Sequence, residues 1–436
     1  LKLIIHRGTH EIGGSCVELA TATTRIVIDV GLPLVNADRE PFDQKLIRGK
    51  SIEELVAEGT APNVTGLFTE GPNPDAILLS HSHLDHAGLL HLTKPEIPIY
   101  ASKGTSQMML AGAVFSRQQG LDRERHREVK SGEKFTVGDF TITPFPVDHS
   151  SYGAFAFLVE ADGQSLLYSG DLRMHGRKPG MAKELIADVG PRKIDVLLME
   201  GTHFGSERTQ GRNEYQLEEE LVEHIKAALA LVLASFSPID VDRLVSYYKA
   251  VRRAGRTFVV DAYAAFVLYL ISRDAGVPKP TREFGIRVLF NKAFRNRNHQ
   301  SMEDRFVADQ ITLDEILAEP NQYAMVFRPS MTELDFDGQL PEQSRCLYSY
   351  WKGYLTNPDW VALQQQLSDV NGDFIPAHTS GHIYVQDIID FVNAVGPQTV
   401  IPIHTFEPEV YKQHFPNVRV LQDGEMFDLV NPACHG

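Results

Sequence analysis

Six consecutive residues, His81-Ser82-His83-Leu84-Asp85-His86, bring three imidazoles and a carboxylate into one short stretch of chain. The flanks determine how that cluster is presented. Asp75-Ala76-Ile77-Leu78-Leu79-Ser80 reads as a short buried strand, and Ala87-Gly88-Leu89-Leu90 reads as the start of a helix. A strand that runs into such a cluster aims several lone pairs at one small volume. Neutral imidazole and carboxylate are the ligands that Zn²⁺ and similar divalent ions take where thiolates are absent. An incidental polar strand end would need every spacing in the run to coincide.

Three further strand ends carry ligand-type residues. Val147-Asp148-His149-Ser150 follows the apolar stretch 140–147. Tyr168-Ser169-Gly170-Asp171-Leu172 closes 165–168, and Arg25-Ile26-Val27-Ile28-Asp29 ends a third. With these residues the chain resembles the metallo-β-lactamase superfamily of hydrolases. The family's first motif falls on Asp29, its second on His81, His83, Asp85 and His86, its third on His149 and its fourth on Asp171. The resemblance implies an α/β fold, an αββα sandwich with two divalent ions at one edge of the sheets. One ion is expected on His81, His83, His149 and Asp171. The other is expected on Asp85, His86, Asp171 and a further histidine. Asp29 is expected to orient a ligand rather than to bind metal.

Size and composition bound the rest. A chain of 436 residues suggests two lobes, and 43% hydrophobic residues support a full core. A net charge of −15 gives no global field that attracts nucleic acid, so such a substrate would need a local groove. Three cysteines, Cys16, Cys346 and Cys434, without a CxxC pair, argue against a disulfide scaffold and a thiolate zinc site. No signal-peptide pattern and no apolar run of membrane length is visible, so a soluble cytoplasmic protein is expected.

Along the chain, residues 1 to about 200 read as strands and short helices, with a polar segment at 35–74 that holds a helix near 51–58. After Glu200 the texture changes. Asn213 is placed to cap a helix with Leu217, Leu221, Val222, Ile225 and Leu229 on one face. Strands then alternate with helices through 231–236, 240–254, 257–260, 262–274, 286–290, 323–327, 345–350 and 359–370, the pattern of a parallel sheet. Ligand-type strand ends return with 374–377 before His378-Thr379-Ser380-Gly381-His382. A helix at 385–395 follows, and the strand 399–403 ends in His404, which supplies the missing histidine.

These later residues narrow the resemblance. Leu198-Met199-Glu200-Gly201-Thr202 looks like motif A of the β-CASP branch, Thr379-Ser380-Gly381-His382 like motif B, and Pro402-Ile403-His404 like motif C. The sequence is similar to ribonuclease J and to the cleavage-factor nucleases, in which a Rossmann-like domain interrupts the hydrolase fold. That implies a first hydrolase part at 1–206, an inserted β-CASP domain at 207–373 and a returning part at 374–436. His203 stands where the branch often has tyrosine, and the glutamate that often follows motif C appears only as Glu407.

The resemblance implies a two-metal nuclease of RNA, or of single-stranded DNA. Zinc is the first expectation and manganese the alternative. Glu200, His382 and Asp85 are the expected catalytic residues. An imidazole can protonate a leaving oxygen near neutral pH, so His382 takes that role with Glu200 holding it. His378 and Ser380 are carried over as contacts to a substrate phosphate. Lys292, Arg295, Arg297 and Arg305 form the nearest thing to a basic tract, and Tyr350 and Trp351 offer aromatic faces. The expected partner is nucleic acid, without a membrane, and a homodimer is allowed. Two alternatives are a small-molecule hydrolase of thioesterase or lactonase type, and a non-catalytic RNA-binding relative.

Overall fold

The computed structural model describes residues 1–36, 40–116, 118–206, 209–295 and 300–429. Chain order gives strands β1 (Lys2–Arg7), β2 (Cys16–Ala20), β3 (Arg25–Ile28), β4 (Ala76–Leu78), β5 (Ile99–Ser102) and β6 (His126–Val129). Then come β7 (Phe135–Val137), β8 (Phe140–Pro146), β9 (Phe155–Ala161), β10 (Gln164–Tyr168) and β11 (Val196–Glu200). A second run holds β12 (Val232–Ser235), β13 (Thr257–Asp261), β14 (Ile286–Leu289), β15 (Gln310–Ile311), β16 (Tyr323–Val326), β17 (Arg345–Tyr348) and β18 (Asp373–Pro376). The last two are β19 (Thr399–Ile403) and β20 (Met426–Asp428).

They build three sheets, ordered β20-β1-β2-β3-β4-β5-β6, β19-β11-β10-β9-β8-β7 and β15-β14-β13-β16-β12-β17-β18. The first two face each other across a dry core that includes Leu3, Val17, Ile28, Leu78, Phe140, Phe157, Leu166, Leu198 and Ile401. Helices Gly180–Val189 and Val385–Val395 cover the outer face of the second sheet, through Leu185, Val189, Ile388 and Val392. The helix Ile52–Ala57, closed by a capping box between Ser51 and Glu54, contributes Leu55 to the outer side of the first. This is an αββα sandwich. Among the described residues no helix is long and apolar enough to cross a membrane.

Every pairing in the third sheet is parallel. Its strands are buried on both faces by helices, which is why they read as continuous apolar runs in the sequence. The chain leaves the second sheet after β11 and re-enters it at β19, so the parallel sheet interrupts the sandwich. This separate all-parallel sheet is consistent with a β-CASP insertion.

The topology also decides where the chemistry lies. β10, β11 and β19 are mutually parallel, and β8 runs the same way because both it and β10 pair antiparallel with β9. Their carboxyl ends therefore share one edge, and they carry His149, Asp171, Glu200 and His404. The parallel pair β3 and β4 delivers Asp29 and the 81–86 run to the same place.

Some expectations need correction. Leu229 is 72% exposed, because the helix that Asn213 caps stops at Ala227 and Ala228 is already extended. The strand placed at the return to the sandwich is β18, the edge of the parallel sheet, so pairing there runs to Pro376. The basic stretch is mostly occupied by its own fold. Lys292 pairs with Asp337, Arg295 bonds the Phe290 carbonyl and Arg305 lies over the Tyr269 ring. Arg297 and Cys434 lie outside the described residues.

Candidate metal centre

Asp29 follows β3 with left-handed backbone, φ 60°. For a residue other than glycine that conformation costs about 1–3 kcal/mol and persists only where surroundings enforce it. Here the buried carboxylate accepts four hydrogen bonds. Ser80 donates through its backbone N and its Oγ, each at 2.7 Å, and Tyr168 Oη and His86 Nδ1 donate at 2.8 Å. Because a carboxylate only accepts, His86 carries its proton on Nδ1. Its Nε2 is thus turned toward Asp171, with Oδ2 at 3.1 Å.

Two groups of ligand atoms meet at this point. His81, His83 and His149 form one, and Asp85, His86, Asp171 and His404 form the other, with the atoms of each group within 4.8 Å of one another. Asp171 Oδ2, of the second group, also approaches the first. It lies 3.8 Å from Nε2 of His81 and of His149, and 3.7 Å from His404 Nε2. The His149 ring is oriented from behind by the Gly381 carbonyl, 2.7 Å from its Nδ1. His404, which also has positive φ (56°), presents Nε2 to Asp85 Oδ2 at 3.1 Å.

Burial, aided by neighbouring imidazoles, holds His81 and His149 well below the usual histidine range, and burial brings His83 down to about 4. All three therefore offer lone pairs rather than protons. His86 moves the other way: burial opposes its charge, but Asp171, Asp29 and Asp85 outweigh it. The pocket asks for positive charge. His81 Nε2 and Asp171 Oδ1 are buried without a hydrogen-bond partner among the described residues. Such orphaned atoms cost about 1–3 kcal/mol each unless something satisfies them. Neutral imidazoles, converging carboxylates and no thiolate fit a pair of divalent cations.

Beside this cluster stands a second constellation, Asp171, Glu200, His382 and His404. Glu200 ends β11 and is fully buried. Both its oxygens lie 3.3 Å from His382 Nδ1. Burial lowers the affinity of His382 for a proton, yet Glu200 and Asp171 overcome it and raise this imidazole to about 9. Its side chain keeps 22% exposure, whereas Asp171, Glu200 and His404 keep 1% each. Thr202, quoted in the sequence only as part of a motif, bridges the two constellations. Its Oγ1 lies 3.1 Å from His382 Nδ1 and 3.0 Å from His404 Nδ1.

The turn that carries His382 is held in part by two residues the sequence did not single out, Arg173 and Arg243. Ser380 is buried, and its Oγ accepts from His382 N at 3.0 Å and pairs with His203 Nε2 at 2.7 Å. His378 Nδ1 faces the Ser349 carbonyl at 3.1 Å and Arg243 Nη1 at 3.2 Å. Arg243 also donates to the Thr379 carbonyl and to Glu214. Arg173, wholly buried, donates to Asp148 at 2.8 Å and Asp242 at 2.9 Å and reaches the Ser380 carbonyl at 3.5 Å. Neither Ser380 nor His378 is a free hydroxyl or imidazole projecting from a loop.

At this seam two guanidiniums, Arg173 and Arg243, face four carboxylates, Asp148, Asp240, Asp242 and Glu214. Burial opposes ionisation of Glu214, but Arg243 and Arg173 hold it down at about 2. Asp240 is left the weaker share, and burial pushes it up to about 7. A carboxyl raised in the folded state stabilises the fold when protonated. That contribution is complete below the unfolded value of about 4 and is lost as pH rises through the folded value. Asp240→Asn retains an acceptor for the Arg243 N–H that Asp240 caps. The variant should therefore lose less thermal stability than wild type between about pH 4 and about pH 7. Parallel melting curves for the two proteins would exclude Asp240 as the titrating group.

The pattern described as the beta-lactamase superfamily domain matches residues 52–245. This chain carries a metallo-β-lactamase superfamily domain. Distant relatives extend the match over most of the chain. Ribonuclease J of Sinorhizobium meliloti is 22% identical over 86% of this chain and 68% of its own length. A probable RNase of Methanocaldococcus jannaschii is 24% identical over 70% of this chain and 64% of its own. The crystal structure of a protein of unknown function from Enterococcus faecalis V583 superposes with a TM-score of 0.77 at 22% identity, covering 98% of this chain and 99% of that one. The two chains share one fold over nearly their whole length. The buried histidine and aspartate clusters of this domain are consistent with the binuclear metal site typical of the fold.

Proposed function

We propose that the protein is a two-metal phosphodiesterase that cuts nucleic acid, with RNA as its substrate. The observation that carries this reading is Glu200 gripping His382 beside Asp171 at the edge of the metal cluster. In this reading His81, His83, His149 and Asp171 hold one ion, and Asp85, His86, Asp171 and His404 hold the other, zinc by preference. When bound, two such cations supply Lewis acidity, offsetting charge on phosphoryl oxygens and bringing the acidity of water toward neutral pH. Asp29 keeps His86 in the tautomer that presents Nε2. Glu200 keeps the His382 imidazole protonated and turned. Nδ1 is engaged by Glu200 and Thr202, and Nε2 is left to give its proton to the departing ribose oxygen as the P–O bond breaks.

A carboxylate–imidazole acid suits a leaving alkoxide, which departs poorly without a proton. Thioesters and lactones place less demand on such a group, and they need no interrupting parallel sheet. Relatives named ribonuclease J and probable RNase favour RNA among the phosphodiesters. The test is incubation of metal-loaded protein with 5′-labelled single-stranded RNA and DNA, followed by sizing of the products. RNA should be cut, chelation should abolish the cutting, and elemental analysis should find up to two transition ions per chain. A protein that opens thioesters or lactones and leaves every phosphodiester intact would transfer the assignment to the small-molecule class.

A further inference from the structure

The chain has two tryptophans. Trp360 is buried, 9% exposed, in the core of the parallel sheet, whereas Trp351 is 50% exposed. Tyr354, three residues on, is 41% exposed. Their ring centroids are 5.4 Å apart at 90°, so the rings form a corner open to solvent. Large aromatic surface left in water forgoes its burial energy. This corner is nevertheless built rather than loose. Tyr348 Oη donates to the Trp351 carbonyl at 2.7 Å, and the 3₁₀ turn Lys352–Thr356 follows. The Trp351 ring packs against Gly353, where a methyl group would overlap it.

The corner also stands beside the proposed site. It follows β17, and the Ser349 carbonyl, two residues before Trp351, faces His378 in the turn that carries His382. Lys352 sits between the two aromatics, exposed and without an ion pair among the described residues.

We infer that Trp351 and Tyr354 form a stacking site for an unpaired nucleobase of the strand whose phosphate enters the metal centre, with Lys352 beside the backbone. A planar base can lie on one ring and meet the other edge-on. Every base has such a face, so the contact would select single strands without selecting sequence. This inference rests on the nuclease reading above.

Fluorescence excited selectively at tryptophan isolates the site, because Trp360 is the only other tryptophan. Titrating the metal-loaded protein with a cleavage-resistant phosphorothioate oligoadenylate should quench its emission, and the quench should vanish in Trp351→Phe while affinity is kept. Trp351→Ala should weaken that binding roughly tenfold or more. An abasic oligomer of equal length should bind wild type and Trp351→Ala alike. Gly353→Ala, which displaces the ring without removing it, should fall between them. The stacking site is overturned if Trp351→Phe is quenched as strongly as wild type, or if Trp351→Ala binds oligoadenylate normally while the protein still cuts RNA. A wild-type protein that neither binds nor cuts any strand overturns the nuclease reading itself.

Discussion

His382→Ala should slow phosphodiester hydrolysis by about two orders of magnitude or more, the scale of a lost general acid, with metal content close to wild type. The geometry separates the two effects. His382 Nδ1 is committed to Glu200 and Thr202, and the residue keeps 22% of its side chain exposed at the rim of the cluster. The groups assigned to the ions are buried, His83 alone being partly exposed. Since the imidazole serves the leaving oxygen, the defect should shrink on a nitrophenyl phosphodiester, whose leaving group departs without a proton. Glu200→Gln should reproduce the pattern more weakly, because an amide can still orient the ring but no longer favours its charge. Loss of metal in His382→Ala, or equal slowing of both substrates, would refute the acid assignment.

Asp171→Asn is expected to do more damage. One oxygen of this side chain lies within 4 Å of His81, His86, His149 and His404, so it joins both ligand groups. Replacing it with a neutral amide of the same shape removes charge from the point where two cations are proposed to meet. Lewis-acid stabilisation is worth several kcal/mol, so activity should fall about a thousandfold or more. Elemental analysis should find both ions depleted. The rise in melting temperature on adding metal, which follows from binding to the folded state alone, should disappear as well. His404→Ala should differ by losing one ion and retaining the other. An Asp171→Asn protein that holds two ions at wild-type affinity would rule out the shared-ligand arrangement.

What could be read from the sequence followed the range of each interaction. Strand-end ligands announce themselves locally: an apolar run, then a histidine or aspartate. That is why the 81–86 run, His149, Asp171 and His404 were visible. The pairing of Glu200 with His382 spans 182 residues and was legible only through resemblance to a family. Arg173 and Ser380 are 207 residues apart, and Arg173 looks in sequence like any cation after a motif. Its burial among carboxylates from three chain segments is a tertiary fact. Leu229 erred differently. Helical period predicts a face as long as the helix continues, and the break after Ala227 leaves no strong mark in composition. The short strands β6, β7 and β20 escaped notice because strands of three or four residues hold too little alternation to detect.

The position of Arg173 has a mechanical consequence. It ties the strand end before His149 to the helix Val241–Arg253 of the parallel sheet, and it touches the Ser380 carbonyl in the turn that carries His382. Separating the lobes there would break the buried Arg173 pairs with Asp148 and Asp242 together with its contact to the Ser380 carbonyl. Breathing of the molecule must therefore pivot about this junction rather than part it. The His382 amide proton, which is donated to Ser380 Oγ, should exchange with deuterium more slowly than a solvent-exposed loop amide. The loop that handles the substrate would then be among the stiffest parts of the protein, and the clearance a strand needs would have to come from the surrounding rim.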